Sequence, residues 1–556
     1  MDEENIIDSL ISQWKNYACQ NGIKWNHSFF QWNLPATIKA DFALNLALPL
    51  AHKTNQPVKD IAEKILSLTK NSHHLQGEIT PQGYLNFRLA DDYYYQFLKN
   101  ILTGKLFPSK ERLNSPAQPK NSVLLEYVST NPTGYLHLAH FRHAFVGNAL
   151  ANVYQFSGYQ VIKEYYINDR GGQITSLINS IYCFYHQLQG VSLPTELEKI
   201  EYSGKASQEV AQELVKKWGR KYIHKQLNKE EFTLWKKEVL ELILTKIRQD
   251  LEKCGLKFDV WFSETSLYEK NKHQELLAEL KKKNLIYTQE GAIFFRSSLS
   301  GDDKDRVIIK QDGDYTYFFS DIIYHQDKAK RANKLINIWG ADHHGSIARL
   351  KSAWQLLGYE SEDLQIILVQ MVNLLTKEGQ AERFSKRAGN TIELEEALGY
   401  MEMDQLKFFL LEKENNQPLA INVELLKENK EKTRLYYIQY AHARCHQLLA
   451  KAKDRKIDLK YEDLNLPWSQ EERHILKNLL RFFFILQLIV EENKPHHLIY
   501  YLADLAQLFQ VYYQKEIIIE EKNLPKTQQR LFLVRGIKVI LKTGLNLAGI
   551  NAPERM

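Results

Sequence analysis

Two strand-like runs separated by a turn and a helical pattern, between residues 122 and 167, constrain the fold more than any other feature. The apolar segment "SVLLEYVS" ends at the turn sequence "TNPTG". A helical pattern then runs through "HAFVGNALANVYQFSG", and "YQVIKEYYI" is the second strand-like run. Strand, helix and strand in this order are typical of a βαβ unit, whose two strands lie parallel in one sheet. The sequence therefore predicts an α/β domain built on a parallel sheet.

Further strand-like runs predict that this sheet continues toward residue 370. They are "RVIIKQDG", "YTYFFSDIIYH", "LINIWGADHHG" and "LQIILVQMV", with helical patterns between them. Before these runs, residues 175–295 are mostly charged helix, as in "EEFTLWKKEVLELILTKIRQDLEKCG". We therefore expect an α/β domain over residues 122–400 that carries a mostly helical insertion at about 175–295.

Further domains are expected on both sides of the sheet, because 556 residues are too many for one hydrophobic core. Residues 1–108 combine helical periods with the strand-like "GYLNFRLA" and predict a small α+β domain. Residues 109–121 are polar, contain two prolines and predict a linker. Strand signals nearly vanish over residues 401–556, where helical patterns predict a C-terminal bundle.

Composition excludes some classes of protein and leaves others open. The net charge of +6, from 73 basic and 67 acidic residues, permits a nucleic-acid partner without requiring one. No apolar run approaches the ~20 residues of a membrane span. The four cysteines lie far apart and offer no zinc or redox pair. The N-terminus is acidic and amphipathic, unlike a secretory signal or a transit peptide, so we expect a cytoplasmic protein without a membrane partner.

A pair of histidines lies where the first strand gives way to the helix. His137 and His140 are three residues apart, so they share one face of the helix beside its free backbone N–H groups. The positive end of the helix dipole makes such a place suitable for phosphate. Two ordinary histidines on a surface helix are the alternative, and zinc would require a third ligand that the sequence does not supply. The glycine-rich fingerprints of dehydrogenases and P-loop enzymes are absent from the sequence.

The polar, basic segment "RFSKRAGN" (383–390) is a second candidate for phosphate chemistry. A loop carrying Arg383, Lys386 and Arg387 could close over a polyphosphate and neutralise its charge as pyrophosphate leaves. A solvated turn is the alternative.

Two acidic residues interrupt apolar runs. Glu126 lies within "SVLLEYVS", and Asp321 follows "YTYFF" and precedes two isoleucines. A carboxylate in a central strand is costly unless it is paired, so an internal Lys or Arg partner is one explanation for each acid. Together at the ends of parallel strands, where open α/β sheets bind ligands, they would form a receptor for a cationic substrate.

Eight motifs, in this order, resemble those of bacterial arginyl-tRNA synthetases. They are "EYVSTNPTGYLHLAH", "YYINDRGGQI", "FDVWFSETSLYE", "YTYFFSDIIYHQDK", "WGADHHG", "RFSKRAGN", "YYIQYAHAR" and the terminal "APERM". The resemblance runs from about residue 30 to the last residue. It implies a Rossmann-type class I catalytic domain, an α+β N-terminal domain that touches the tRNA elbow and an all-α anticodon-binding domain. It also implies activation of L-arginine by ATP, with Mg²⁺ and without zinc, and transfer of arginine to the terminal adenosine of its tRNA.

The resemblance implies roles for individual residues of the catalytic domain. His137 and His140 fall on the HIGH motif and are expected to contact the ATP phosphates. Lys386 of the KMSKS-like loop is expected to steady pyrophosphate, with Arg383, Ser385 and Arg387 beside it. Arginine-binding positions of the family fall on Glu126, Asn131, Tyr317, Asp321, Asp342 and His343.

Four positions outside the catalytic domain are expected to contact tRNA. Tyr84 and Asn86 match a Tyr-x-Asn pair that in relatives contacts a base of the D-loop, although a strand with one buried aromatic would give the same pattern. Tyr440 and Arg444 lie in "YYIQYAHAR", where packing within the helical bundle is the alternative. The family is mostly monomeric, so we expect a monomer.

Two residues depart from the family pattern. Ala139 stands where the family usually has glycine, and its methyl group occupies space in which the adenine ring would approach the backbone. Phe384 replaces the usual methionine of the loop and is expected to have little effect.

Two rival functions are weaker. A class I synthetase for cysteine would show zinc-type cysteines, and one for glutamate would show basic residues in place of Glu126 and Asp321. A non-catalytic tRNA-binding relative would have lost the histidines or the loop lysine, whereas His137, His140 and Lys386 are present.

Overall fold

The two ends of the chain fold together as one unit, and the middle of the chain forms another. In the computed structural model, one unit comprises Met1–Leu113 with Glu431–Met556, and the second comprises Asn114–Lys430. The structure describes residues 6–32, 38–69, 73–107, 121–192, 200–223, 227–269, 271–375, 392–422, 433–457 and 466–556. The predicted linker at 109–121 lies outside these residues except for Asn121.

The N-terminal part of the first unit is a four-stranded antiparallel sheet with helices, in the order β1-β2-β4-β3. Trp14 of the first helix is fully buried, and its ring contacts Phe42 and Phe87 of the sheet. The α+β prediction for this region is confirmed. The elements are α1 (Ile6–Gln20), β1 (Phe30–Gln31), β2 (Phe42–Leu44), α2 (Ala47–Thr54), α3 (Val58–Ser67), β3 (Leu75–Ile79), β4 (Leu85–Leu89) and α4 (Asp91–Leu102).

The second unit begins with the predicted βαβ unit: β5 (Ser122–Glu126), α5 (Leu138–Phe156) and β6 (Gln160–Ile167). The two strands pair in parallel, and β5 is the middle strand of a five-stranded parallel sheet. Helix α5 packs closely on β5 at Gly147, where a Cβ atom would lie 2.3 Å from the Tyr127 ring. The continuous apolar run of β5 is buried, as is typical of a strand covered on both faces.

The remaining elements of the second unit complete the main sheet in the order β12-β11-β5-β6-β7 and add two smaller sheets. They are α6 (Gly172–Gln187), α7 (Lys205–Trp218), α8 (Lys229–Lys253), β7 (Val260–Ser263), α9 (Thr265–Glu269), α10 (Lys272–Lys282), β8 (Ile286–Gln289), β9 (Ala292–Phe295), β10 (Arg306–Ile309), α11 (Tyr317–Ala329), β11 (Lys334–Gly340), α12 (Ile347–Leu356), β12 (Leu364–Val369), β13 (Val372–Leu375), α13 (Leu394–Tyr400), α14 (Met403–Glu412) and β14 (Leu419–Asn422).

Two expectations about the strands are corrected by the structure. The run "YTYFFSDIIYH" lies largely in helix α11, and its apolar residues Phe318, Phe319, Ile322 and Ile323 recur at the helical period and are buried. Aromatic and β-branched residues are typical of strands, but here their spacing decided the structure. The run "RVIIKQDG" does form strand β10, but in a three-stranded antiparallel sheet with β8 and β9.

The segment assigned to the helical insertion also contains part of the main sheet. Residues 175–295 are mostly helical, yet β7 within them pairs in parallel with β6. The strand comprises only four residues and follows a long charged helix, so its sequence signal was weak. The expected insertion therefore includes an edge strand of the main sheet.

The C-terminal part of the first unit contains four helices among the described residues, in agreement with the predicted all-α domain. The prediction began that domain at residue 401, whereas residues up to 430, with α14 and β14, are grouped with the second unit. Arg473 joins it to the N-terminal sheet by ion pairs to Asp41 and Asp91 and by a 2.7 Å hydrogen bond to the carbonyl of Leu89. The helices are α15 (Arg434–Asp454), α16 (Gln470–Glu492), α17 (His496–Lys515) and α18 (Leu524–Leu547). None of the helices in the described part of the chain is long and apolar enough to cross a membrane.

A fully buried arginine in α5 holds together segments that are distant in sequence. The Arg142 guanidinium donates to the carbonyls of Gln370, Glu414 and Gln417 at 2.8–3.0 Å. Burial lowers the pKa of Arg142 to about 10. Gln370 and Gln417 come just before β13 and β14, which pair in parallel. Arg142 therefore fixes the helix with the histidine pair to the base of the strand that leads to residues 376–391.

We expect Arg142→Ala to destabilise the second unit by roughly 2–4 kcal/mol, because it leaves a cavity and removes the donors of three carbonyls. Its calorimetric transition should move to lower temperature by several degrees. Arg220→Ala, at an exposed position of the same unit, is the matched control and should leave the transition in place. Equal transitions for the two variants would contradict a structural role for Arg142.

Candidate functional site

A cavity of about 740 Å³ opens at the carboxyl ends of the parallel strands in the second unit. Glu126 ends β5, Gly340 ends β11 and Met371 follows β12, and all three line the cavity. Open α/β sheets bind ligands at this edge. Nine residues that the sequence singled out line the cavity: Glu126, Asn131, His137, Ala139, His140, Tyr317, Asp321, Asp342 and His343.

The histidine pair lies at the N-terminus of helix α5, as predicted. His137 is the N-cap residue, and its backbone N–H donates to Nδ1 of His140 at 3.2 Å. The two rings stack with their centroids 3.5 Å apart. Because Nδ1 of His140 accepts this bond, the proton of its neutral ring is on Nε2. The two imidazoles and the positive end of the helix dipole therefore suit an anion, although the Leu138 N–H already donates to the carbonyl of Ile392.

The two acidic residues line the same cavity and interact electrostatically. Glu126 is buried, and its carboxylate accepts a hydrogen bond from the fully buried Lys328. The internal partner that the sequence left open is therefore present for Glu126. Asp321 lies in the first turn and a half of α11, and no side chain of the described residues hydrogen-bonds to its carboxylate. The pKa of Asp321 is raised to about 7, mainly by burial; Arg349 and Lys328 lower it, whereas the nearby Glu126 and Glu264 raise it.

The backbone between Glu126 and the turn is strained. Val128 and Ser129 have φ angles of 68° and 38°, a region that β-branched residues rarely adopt. The Ser129 N–H donates to the carbonyl of Tyr127 at 3.0 Å, and its Oγ accepts from the backbone N–H of Tyr166 at 3.0 Å. Strain of this kind is held in place by the surrounding structure and clusters at functional sites. These two φ angles turn the chain sharply after β5, where Val128 and Ser129 line the cavity.

The mouth of the cavity carries exposed polar groups. Tyr317 begins α11 and is 56% exposed. A Cβ atom on Gly171 would lie 2.9 Å from the Tyr317 hydroxyl. Gly171 has a φ angle of 86°, so glycine meets both the backbone and the space requirement there. The side-chain amide nitrogen of Asn131 donates to Oε1 of Gln173 at 3.0 Å. Asp342 and His343 are exposed, and Oδ2 of Asp342 lies 3.8 Å from Nε2 of His343.

Several groups of the site were not singled out by the sequence. Tyr166, His325 and Arg349 line the cavity, and the buried Glu264 lies beside Asp321. Burial raises the pKa of Glu264. Tyr166 and Glu264 belong to the motifs "YYINDRGGQI" and "FDVWFSETSLYE". These motifs contributed to the family resemblance, but no individual residue in them was predicted to belong to the site.

The basic loop lies outside the described residues. This applies to Arg383, Phe384, Ser385, Lys386 and Arg387. The residues that flank it are described: Val372 and Ile392 line the cavity, and the carbonyl of Ile392 accepts from the Leu138 N–H at 3.0 Å. The first described residue after this segment therefore lies at the cavity, and so does Val372, four residues before the segment.

The candidate tRNA contacts belong to the first unit. Asn86 is buried in strand β4, and Tyr84 just before it is half-buried. On α15, the Arg444 guanidinium lies between the rings of Tyr440 and Tyr513, 4.4 and 4.3 Å from their centroids. Arg444 also donates to Tyr440 and, at 2.8 Å, to Gln510. Packing within the bundle, the alternative named above, thus accounts for both residues, and their contact with tRNA stays a prediction.

Within the described part of the chain, no three His, Cys, Asp or Glu side chains are grouped as a metal site requires.

Family models cover most of the chain in three consecutive parts. The N-terminal domain of arginyl tRNA synthetases matches residues 27–89, the catalytic domain of class I (R) tRNA synthetases matches residues 103–444, and the DALR anticodon-binding domain matches residues 438–556. These matches confirm the predicted fold class and the resemblance of the motifs.

Relatives of known name match over nearly their whole length. The arginine–tRNA ligase of Geobacillus kaustophilus is 37% identical over 524 residues, covering 93% of this chain and 92% of the relative. That of Aquifex aeolicus is 38% identical, covering 93% and 94%. A Campylobacter jejuni structure described as a putative arginyl-tRNA synthetase superposes with a TM-score of 0.73 at 33% identity, covering 84% of this chain and 100% of that chain. The arginyl-tRNA synthetase of Thermus thermophilus shares the fold, with a TM-score of 0.72, 20% identity and 99% coverage of both chains.

The raised pKa of Asp321 makes the stability of the empty protein depend on pH. Between about pH 4 and 7 the folded protein keeps a proton that the unfolded chain releases, so its free energy of unfolding falls as the pH rises. Asp321→Asn removes this titration. We expect the variant to be more stable than the wild type at pH 8, by at most roughly 4 kcal/mol, and the difference to shrink toward pH 5.

Thermal melts without ligands from pH 5 to 8 measure this difference. Asp342→Asn, in which the replaced side chain is 83% exposed, is the control and should follow the wild type at every pH. A stability difference for Asp321→Asn that does not change with pH would show that Asp321 is ionised throughout.

Proposed function

The chain belongs to the arginyl-tRNA synthetase family, and we propose that it joins L-arginine to the 3′-terminal adenosine of its tRNA in two steps. In the first step an arginine carboxylate oxygen attacks the α-phosphorus of ATP, the bond to pyrophosphate breaks, and arginyl-adenylate forms. In the second step a ribose hydroxyl of the tRNA attacks the acyl carbon and AMP leaves. The observation that carries the proposal is the cavity that combines a helix N-terminus bearing two histidines with a pair of acids.

The acidic side of the cavity suits the side chain of arginine. A guanidinium stays charged and offers five planar N–H donors, which match carboxylates and other acceptors. Asp321 supplies a carboxylate that lacks a hydrogen-bonding side chain among the described residues, and Glu126 supplies a second one. Asn131, Tyr317, Asp342 and His343 complete the proposed arginine contacts at the mouth. A lysine ammonium would leave part of this planar set of acceptors unpaired.

The start of helix α5 suits the triphosphate. His137 and His140 would hydrogen-bond the phosphates, the positive end of the α5 dipole would add electrostatic attraction, and ATP would enter as its magnesium complex. Lys386 of the loop, with Arg383, Ser385 and Arg387, would neutralise the departing pyrophosphate. The attachment of both flanks of this segment at the cavity supports that role. No covalent enzyme intermediate is needed, so catalysis consists of positioning and electrostatic stabilisation.

The first unit would bind the tRNA. We assign Tyr84 and Asn86 to the D-loop, and Tyr440 and Arg444 to the neighbourhood of the anticodon stem and loop. The half-buried Tyr84 offers a ring for stacking on an unpaired base, and the match of residues 438–556 to an anticodon-binding domain supports the second assignment. We further propose that the protein acts in the cytoplasm as a monomer, which sedimentation analysis of the purified chain would test.

The alternative of a non-catalytic tRNA-binding relative is less well supported. His137 and His140 are present and stacked at the start of the helix, and the match to the catalytic domain extends over 342 residues, from 103 to 444.

We expect ATP–pyrophosphate exchange that depends on L-arginine, measured with and without arginine tRNA. Lysine and glutamate are the control amino acids, since the first lacks the planar donors and the second has the wrong charge. Exchange with arginine and tRNA together, and none with the controls, supports substrate and reaction. Exchange with arginine alone would support arginine as the substrate and show that its activation does not require tRNA. Absence of exchange from folded protein under all conditions would favour the non-catalytic alternative.

We expect Ala139→Gly to lower the KM for ATP a few-fold with little change in kcat. Ala139 lines the cavity beside the histidines, and removing its methyl group lets the adenine ring approach the backbone. Phe384→Met, which also restores the usual family residue, is the matched control and should leave kcat nearly unchanged. An unchanged KM for ATP in steady-state exchange kinetics would contradict the expected role of Ala139.

A further inference from the structure

A lysine is completely buried beneath the acidic side of the cavity. Lys328 lies on α11 seven residues after Asp321, two helical turns along the same face. Its Nζ donates to the carboxylate of Glu126 and, at 2.8 Å, to Oδ1 of Asn337, and it lies 4.0 Å from the centroid of the Tyr324 ring. A buried ammonium is costly unless it is paired and hydrogen-bonded, and these three contacts meet that requirement.

A chain of hydrogen bonds fixes the orientation of each neighbour of Lys328. Nδ1 of His325 lies 2.7 Å from the backbone carbonyl of Asp321, which can only accept, so the proton is on Nδ1. Nε2 of His325 therefore accepts from the amide nitrogen of Asn337, 2.5 Å away. The amide oxygen of Asn337 then faces Lys328, as observed. Burial and the charge of Lys328 lower the pKa of His325, which agrees with a neutral ring.

The charged groups around Lys328 fall into two sets. In the first set, Glu164 of β6 is paired with Arg331 and accepts from Tyr324 at 2.7 Å, and Arg331 also pairs with Asp327, which pairs with Lys272. In the second set, Glu126, Asp321, Arg349 and Tyr166 line the cavity. The buried Lys328 and Glu264 do not line it, but both act electrostatically on Asp321. Within it, the ammonium of Lys328 is the cation in direct contact with Glu126.

We propose that Lys328 is a specificity-determining residue that acts as a resident counter-ion: it balances the charge of the Glu126 carboxylate and fixes its orientation, and it leaves Asp321 as the acid that the substrate cation must neutralise. This proposal rests on the function proposed above. A binding site with two uncompensated buried acids would bind a proton between them, and a monocation would then have to displace it. With Lys328 paired to Glu126, the single positive charge of one guanidinium matches the single negative charge of Asp321. Lys328 acts through Glu126 and is a positioning residue.

The test compares Lys328→Met, Lys328→Arg and the exposed Lys330→Met in arginine-dependent exchange from pH 6 to 8.5. Lys328→Met should raise the KM for arginine at least tenfold at pH 7 and change the KM for ATP less than twofold. Its kcat/KM for arginine should rise with pH with a midpoint about one pH unit above that of the wild type. Lys328→Arg should restore most of the loss, and Lys330→Met should match the wild type.

A second variant keeps the test valid if Lys328→Met does not fold. Glu126→Gln with Lys328→Met removes both partners of the ion pair and leaves neither charge buried alone. The double variant should bind arginine more weakly than the wild type, but the midpoint of its pH profile should stay at the wild-type value, since Asp321 alone titrates.

Three results would overturn the proposal. The first is an equal rise in the KM values for arginine and ATP in Lys328→Met, which indicates general disruption. The second is a Lys328→Met variant in which neither the KM for arginine nor the midpoint of the pH profile changes, or a double variant whose midpoint shifts upward as far as that of Lys328→Met. The third is wild-type protein that is folded but shows no arginine-dependent exchange, which would overturn the proposed function as well; in the first two cases the proposed function stands.

Discussion

The parallel alignment of β5, β6, β11 and β12 is the constraint on which the site depends. Because these strands run in the same direction, their carboxyl ends meet at one edge of the sheet, and the segments that follow them surround one cavity. Each parallel connection requires a long crossover, and the one between β5 and β6 is helix α5. The same geometry therefore brings the acid at the end of β5 and the N-terminus of α5 to one cavity. The Arg142 guanidinium adds the base of β13 to this assembly.

The sequence predicted the local elements of this arrangement better than their partners. The βαβ unit was predicted because its apolar runs and its turn are local signals, and the position of His137 and His140 followed from it. Helix α11 was misassigned because its aromatic and β-branched residues favour strands, whereas its buried positions follow the helical period. Both acids line the cavity, but the stated ground for bringing them together, two ends of parallel strands, was wrong for Asp321, which lies in helix α11.

The interactions that the sequence did not predict connect residues distant in the chain. The ion pair between Lys328 and Glu126 joins positions 202 residues apart, and no local pattern specifies which of 73 basic residues is the partner. The strain at Val128 and Ser129 was also invisible, because neither residue type favours a positive φ angle. It is imposed by the sheet and by the turn that follows. Such departures from local preference are expected where function competes with stability.

The cavity brings together groups of opposite electrostatic character, and the proposed orientation of the substrate depends on this. The start of α5 presents two imidazoles and the positive end of its dipole, which favour anions, whereas Glu126 and Asp321 present carboxylates. Free arginine carries one positive charge at its guanidinium, and at its other end an ammonium beside a carboxylate. In the proposed function the guanidinium lies at Asp321, because a full positive charge is stabilised there more than an end group with no net charge. The reacting carboxylate would then remain available to the α-phosphate of ATP. The proposed arrangement would thus distinguish the two ends of the amino acid.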